Sequence, residues 1–283
     1  MRIAHLGPVN TFGHFAAIRA GRRFFKSEIE SHLCPTNQAV VEAVASGQVD
    51  FGIVPIFNSI ADVVIASMDA IYHSWQNNQP VYFFGEVIMP IEHCLIGLQQ
   101  ATLGGIQTVH SHPHAIGQCR DFISRMELLS KESDSTAEAV QLVTSSNNKT
   151  LAAIGSKEAA EALGLKVLTE KIQDSISDRN LTRFMLISNQ HDHDSTGNDS
   201  TWLAFTTKAD RPGSLVDALI PLKDEEINMH AVHSRANGKI GSFLFYIGFD
   251  GHRQDQHVTS ALSKMKNLTD ELIVFGSHPK DRY

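Results

Sequence analysis

Cysteine is scarce in this chain: Cys34, Cys94 and Cys119 are the three thiols among 283 residues. An odd count without metal or redox spacing argues against a disulfide framework and predicts reduced, buried thiols. No apolar run approaches the roughly 20 residues that a membrane helix needs. The first seven residues read as a short strand and lack the long apolar segment of a signal peptide. Basic runs are missing as well, and a formal charge of −7 argues against a nucleic-acid surface. There is no phosphate-binding Gly-rich loop, no Gly-x-Ser-x-Gly elbow and no dinucleotide fingerprint. The expectation left standing is a cytoplasmic globular protein. With 42% hydrophobic residues it can fill a core, and its length allows two domains.

What is present alternates. Strands are expected at 2–6, 51–56, 82–88, 94–98, 108–110 and 152–154. Helices are expected at 11–20, 38–45, 60–72, 113–125, 137–143 and 157–163, with Thr36 or Asn37 as one cap and Ser135-Thr136-Ala137-Glu138 as a capping box. Such alternation up to about residue 188 predicts an α/β domain with parallel strands, whose ligands sit at strand-to-helix junctions. The stretch 189–200 is polar, short-chained and aperiodic, and reads as a linker. Beyond it the order strand (202–207), helix (215–222), strand (228–234), strand (243–249), helix (257–268), strand (272–275) is the βαββαβ ferredoxin-like motif, with Asn237-Gly238 as a hairpin-type turn.

One pentapeptide carries chemistry: Asn180-Leu181-Thr182-Arg183-Phe184, at the head of an apolar run. Arg183 can grip a carboxylate in a bidentate fork, and Thr182 can donate a hydrogen bond to a departing oxygen. Other segments stand in order around it: Gly7-Pro8-Val9-Asn10-Thr11-Phe12, Val54-Pro55-Ile56-Phe57-Asn58-Ser59, Ser111-His112-Pro113-His114-Ala115-Ile116-Gly117-Gln118-Cys119, Ser135-Thr136-Ala137-Glu138-Ala139, Arg211-Pro212-Gly213-Ser214-Leu215-Val216 and His233-Ser234-Arg235. Taken together, this array resembles prephenate dehydratase with a C-terminal regulatory domain of the ACT type, over essentially the whole chain.

The resemblance implies that prephenate loses CO2 and its C4 hydroxyl together to give phenylpyruvate, without an organic cofactor. It implies Thr182 and Arg183 as catalytic residues. Thr11, Asn58, Ser59, Ser111, Gln118, Ser135, Thr136 and Phe184 become the substrate-binding set. Several of these have plainer local readings. Thr11, Ser59, Ser111 and Ser135 all stand where helix caps are expected, and Arg183 could brace the cleft instead of touching substrate. An acidic protein binding a dianion must concentrate positive potential locally, through an Arg or helix N-termini. His110, His112 and His114 alternate as strand ligands would, but Pro113 interrupts them, and no metal site is expected there or at His191-Asp192-His193-Asp194.

The implied architecture is a two-lobed, periplasmic-binding-protein-like catalytic domain at 1–188. Lobe 1 is placed at about 1–76 plus 170–188 and lobe 2 at about 77–169. A linker at 189–200 and an ACT-like domain at 201–283 follow. Gly213, Ser214, Leu215, Val216, Asn228, Ser234 and Arg235 are the implied effector contacts, for an amino acid such as L-phenylalanine. Pairing of regulatory domains into a homodimer or homotetramer is implied as well. Departures from the family pattern are Phe57 in place of a Glu, Asn10 in place of a Gly, Gly13 in place of a Ser, and His233-Ser234-Arg235-Ala236 in place of Glu-Ser-Arg-Pro. Phe57 would put a bulky apolar face beside Asn58, and the last change weakens the case for phenylalanine. Two other readings stay open: a non-aromatising prephenate decarboxylase, which Thr182 speaks against, and a non-catalytic sensor of the same fold.

Overall fold

Short apolar runs alternating with helical spacing build two α/β layers, and a third, wholly antiparallel sheet follows. The computed structural model describes residues 1–174, 180–190, 193–238 and 241–281. The first part runs β1 (Arg2–Leu6), α1 (Phe12–Ala20), β2 (Glu30–Cys34), α2 (Asn37–Ala45), β3 (Phe51–Asn58), β4 (Asp62–Val63), α3 (Ile65–Gln76) and β5 (Tyr82–Pro90). The middle part runs β6 (Cys94–Gly97), β7 (Thr108–Ser111), α4 (Pro113–Gln118), α5 (Arg120–Arg125), β8 (Leu129–Glu132), α6 (Thr136–Ser146), β9 (Leu151–Gly155), α7 (Lys157–Ala162) and β10 (Lys166–Thr169). The chain returns through β11 (Leu181–Ser188) and ends as β12 (Asp199–Thr207), α8 (Ser214–Asp224), β13 (Met229–Ala236), β14 (Phe243–Asp250), α9 (Gln256–Leu268) and β15 (Thr269–Pro279).

The first sheet has the order β2-β1-β3-β11-β5, with β4 attached to β3, and the second the order β10-β6-β9-β7-β8. Both are mixed, which corrects the expectation of parallel strands: β11 runs antiparallel to β3 and β5, and β6 antiparallel to β9 and β10. A buried apolar run carries no mark of direction, so periodicity could not reveal this. Strand β5 hydrogen-bonds to β11 along its whole length. The passage between the two sheets therefore lies between Pro90 and Cys94, not near residue 77.

Helix α3 starts at Ile65, later than the expected 60, because Asn58 intercepts the backbone first. Its Oδ1 accepts from the N–H groups of Ile60 and Ala61 at 3.0 and 2.8 Å, and Asp62 takes a left-handed φ of 68°. The expected single helix at 113–125 is two, broken at Cys119 (φ −123°, ψ 25°). Asn10 adopts a left-handed φ of 66°, the conformation that an Asn tolerates where a Gly would otherwise stand. The three thiols are buried; burial raises all three, Cys94 to about 11 and Cys119 to about 12.

The third sheet has the order β13-β14-β12-β15, all antiparallel, in a βαββαβ chain order. That is the ferredoxin-like arrangement. Alternation along β12 and β14 decides what each face meets. Leu203, Phe205, Phe245 and Ile247 pack with Ala218, Leu222, Val258 and Met265 of α8 and α9. Trp202, Ala204 and Tyr246 join Met68, Ile71, Val81 and Phe83 of the first layer in one buried cluster. Phe83 stands 5.5 Å from Phe275 and 6.1 Å from Trp202, centroid to centroid. Asn237 and Gly238 open the β13–β14 connection, with Asn237 N–H on Ser242 O at 2.9 Å and a φ of 67° at Gly238. Of the expected linker, His191 and Asp192 lie outside the described residues, and Asp199 and Ser200 already belong to β12.

Candidate active site

The first and second sheets face each other across a cleft of about 520 Å³. A cavity of about 580 Å³ between α2 and α3 is slightly larger, but none of the candidate site residues lines it. The cleft brings together Thr11, Asn58, Gln118, Ser135, Thr136, Thr182 and Phe184. They arrive from five helices and strands: Thr11 and Ser135 cap helix starts, Thr136 opens α6, Asn58 ends β3, Gln118 ends α4, and Thr182 and Phe184 lie in the first half of β11.

Strand alternation places Thr182. It is paired in register with Asn58, so both side chains point into the cleft. The Asn58 Nδ2 amide donates to Thr182 Oγ1 at 2.9 Å and to Asn180 Oδ1 at 2.7 Å. Thr11 caps α1: its Oγ1 accepts from His14 N–H at 3.3 Å and donates to Pro8 O. Ser135 caps α6, accepting from Glu138 N–H at 3.0 Å, while Glu138 reaches back to Asp134 N–H at 2.7 Å. Two helix N-termini thus open on the cleft, where their partial positive charge favours an anion.

Three expected residues lie elsewhere. Arg183 follows Thr182 on β11 and so projects from the opposite face of the sheet. Its Nε lies 3.1 Å from Glu86 Oε2, off the line of a good hydrogen bond, and its guanidinium stands 5.9 Å from the Trp202 ring. It pairs across the strand with Phe57, which packs in the buried cluster shared with the third sheet. Phe57 therefore does not alter the cleft's surface. Ser111 is fully buried, and its Oγ donates to Ile154 O at 2.7 Å; the cap of α4 is His112 instead. Ser59 Oγ accepts from Leu181 N–H at 2.9 Å, which pins the entry to β11. No Lys or Arg lines the cleft among the described residues.

Asn180 and His93 are among the cleft residues that escaped the sequence reading. Asn180 stands in the same pentapeptide as Thr182, but only its reach to Asn58 and Gln118 shows its place. His93 lies on the passage between the sheets, where no local pattern marks it. Its Nε2 is 2.8 Å from Gln118 Oε1, it is 3% exposed, and burial holds it below the usual histidine range. His112, His114 and Asp134 also line the cleft. Among the described residues no group of His, Cys, Asp and Glu is arranged to hold a metal ion.

The implied effector contacts divide. Gly213, with φ 88°, precedes α8; Ser214 Oγ donates to Ala209 O at 2.7 Å, and Val216 is exposed. Leu215 packs inward against the α8–α9 core. Ser234 and Arg235 lie at the same end of the sheet, and Arg235 forms an ion pair with Asp69 of α3. Asn228 is at the far end, its amide on Asp250 at 3.2 Å, so one chain does not assemble the whole set.

A family model for prephenate dehydratase matches residues 3–192. The prephenate dehydratase of Methanocaldococcus jannaschii is 34% identical over 230 residues, covering 81% of this chain and 80% of its own length. Among solved structures, prephenate dehydratase from Arthrobacter aurescens in complex with L-Phe superposes with a TM-score of 0.86 at 27% identity, covering 99% of this chain and 90% of that one. A protein described as a novel type of quorum quenching acylase, GqqA, superposes with a TM-score of 0.84 at 25% identity, covering 99% of this chain and 98% of its own.

Proposed function

The chain belongs to the prephenate dehydratase family, and from that membership and the cleft we propose that Thr182 is its catalytic hydroxyl. The enzyme converts prephenate to phenylpyruvate, CO2 and water, a step of L-phenylalanine biosynthesis. The ring carboxylate leaves as CO2, its bonding pair closes the aromatic ring, and the C4–O pair departs on oxygen. Aromatisation drives the step, so the protein's task is to help hydroxide leave. Thr182, in the floor of the cleft beside Asn58, donates to that oxygen as charge builds on it. The N-termini of α1 and α6, the Gln118 amide, His112 and His114 receive the substrate's carboxylates in place of Arg183.

An acyl-transfer reading would need a hydroxyl activated by an adjacent base. Among the described residues, none of the cleft hydroxyls of Thr11, Ser135, Thr136 and Thr182 is hydrogen-bonded to a His, Lys or carboxylate side chain. The observation that carries the dehydratase reading is this placement of Thr182.

Incubation of the purified protein with prephenate tests it. Phenylpyruvate and CO2 should form together, and Thr182→Ala should lower kcat by about 10²–10³. CO2 without phenylpyruvate would identify the non-aromatising decarboxylase. Ligand binding without turnover would identify a sensor.

The ferredoxin-like part at 201–283 is, on this reading, an ACT-type regulatory domain, and the protein a homodimer or homotetramer of the cytoplasm. Its strand order and the L-Phe complex of the Arthrobacter relative support an amino-acid effector. Gly213, Ser214, Val216, Ser234 and Arg235 would contribute from one end of the sheet, with Leu215 shaping α8 from within. Asn228 would come from a paired copy.

A further inference from the structure

The polar floor of the cleft is a chain of hydrogen bonds whose directions can be read from one end. Asn58 Oδ1 accepts two backbone N–H groups, from Ile60 and Ala61, and backbone N–H can only donate. Asn58 must therefore turn its amide nitrogen the other way, toward Thr182 Oγ1 and Asn180 Oδ1. Asn180 then accepts on its oxygen and presents its own amide nitrogen to Gln118 at 3.4 Å. That fixes Gln118 Oε1 as an acceptor, and the remaining neighbour of Gln118 Oε1, His93 Nε2 at 2.8 Å, must carry a proton.

We infer that the turn at Asn58 and the Nε2–H tautomer of His93 lock this chain from its two ends, so that Gln118 turns only its amide hydrogens to the cleft and Thr182 keeps its proton free for the substrate. His93, Asn180 and Asn58 are on this account positioning residues, acting through Thr182 and Gln118. The Thr182 oxygen is already used as an acceptor, and its proton is left for the substrate. Gln118 has its oxygen occupied from two sides, which leaves its amide hydrogens. A floor whose free hydrogens face the cleft suits a dianion that sheds hydroxide.

His93 pays nothing for its tautomer except a bare Nδ1, which is buried without a partner. A second proton there would be a buried, unpaired donor beside the Phe12 ring, whose centroid is 6.2 Å away. Burial accordingly holds His93 below the ordinary histidine range.

The inference rests on Thr182 as the donor to the leaving hydroxyl, and its test separates the two. Nitrogen NMR of histidine-labelled protein, with His93→Gln used to assign the resonance, reads the tautomer without any substrate. A neutral His93 protonated on Nε2 at pH 7 is expected, and protonation on Nδ1 alone or on both nitrogens overturns the inference whatever the activity. In kinetics, Asn58→Asp keeps the turn but can only accept, so the Thr182 proton turns to it. It should lose about 10²–10³ in kcat, as Thr182→Val does. Combining Asn58→Asp with Thr182→Val should cost little more than either alone, because both remove one donor. Fully multiplied losses would show that Asn58 acts independently of Thr182 and overturn the coupling. His93→Met should lower kcat through misplacement of Gln118, by about 10²-fold at most. His93→Gln, which carries an N–H at the same reach, should recover most of that loss, and failure to do so would make His93 a packing residue only.

Discussion

At the scale of single residues, the instructive case is Arg183. The neighbouring letters Thr-Arg suggest a guanidinium in the site, yet a strand sends successive side chains to opposite faces. Thr182 reaches the cleft and Arg183 the interface with the third sheet, where Glu86 is nearly fully buried beside it. Arg183→Gln would leave the Glu86 carboxylate without its cationic partner, at a cost of about 3 kcal/mol. Urea unfolding should show that loss, and adding Glu86→Gln should restore most of it, while KM for prephenate stays near the wild-type value. A raised KM with unchanged stability would return Arg183 to the substrate. Asn58 was legible at a strand end that the fold class turns toward ligands, Thr182 as a hydroxyl at the head of an apolar run, and Gln118 through the family resemblance. It hid the direction of Arg183, which follows from register, and hid His93, which follows from a crossing between two sheets.

At the scale of elements, the caps show how one hydroxyl can serve structure and ligand together. Ser135 satisfies an orphan N–H of α6, and the same helix start lines the cleft. Ser135→Ala should cost about 1 kcal/mol of stability, whereas Ser135→Gly caps nearly as well and costs only tenths. Chemical unfolding and steady-state kinetics on both variants separate the two roles. If Ser135→Gly keeps stability but raises KM for prephenate, the hydroxyl touches the substrate. If KM moves only where stability moves, Ser135 is a cap alone. Helix starts of this kind were readable in advance, since capping residues precede the apolar period. The late start of α3 and the break at Cys119 were not. Asn58 Oδ1 holds the backbone ahead of α3, and the Asp174 carboxylate accepts from Asp121 and Phe122 N–H at the start of α5; neither contact leaves a trace in periodicity.

At the scale of the molecule, the third sheet is fastened to the first layer by more than an apolar face. Asp281, just past β15, accepts from Arg19 Nη2 at 3.2 Å and from Ile88 N–H at 2.8 Å, and it forms an ion pair with Arg23. Its own N–H donates to Glu86 Oε1 at 2.8 Å. Ile88 is the β5 residue directly opposite Arg183 on β11, the strand that carries Thr182. Tyr72 of α3 donates to Glu271, and Tyr246 of β14 donates to Asp69. With Trp202, Phe83 and Phe275 in a common core, the two parts have no separate hydrophobic interiors at this seam. Calorimetry of the wild-type protein should therefore show one cooperative transition, because unfolding either part exposes the core of the other. Asp281→Asn weakens the polar fastening while leaving that core intact, so it should lower the midpoint of this single transition. Phe83→Ala removes the ring at the centre of the seam, at a cost of about 3–5 kcal/mol, and should split the transition in two. Two transitions in the wild-type protein would mean that the parts fold independently. A change at the third sheet could then reach Thr182 only through substrate or effector, not through β5 and β11.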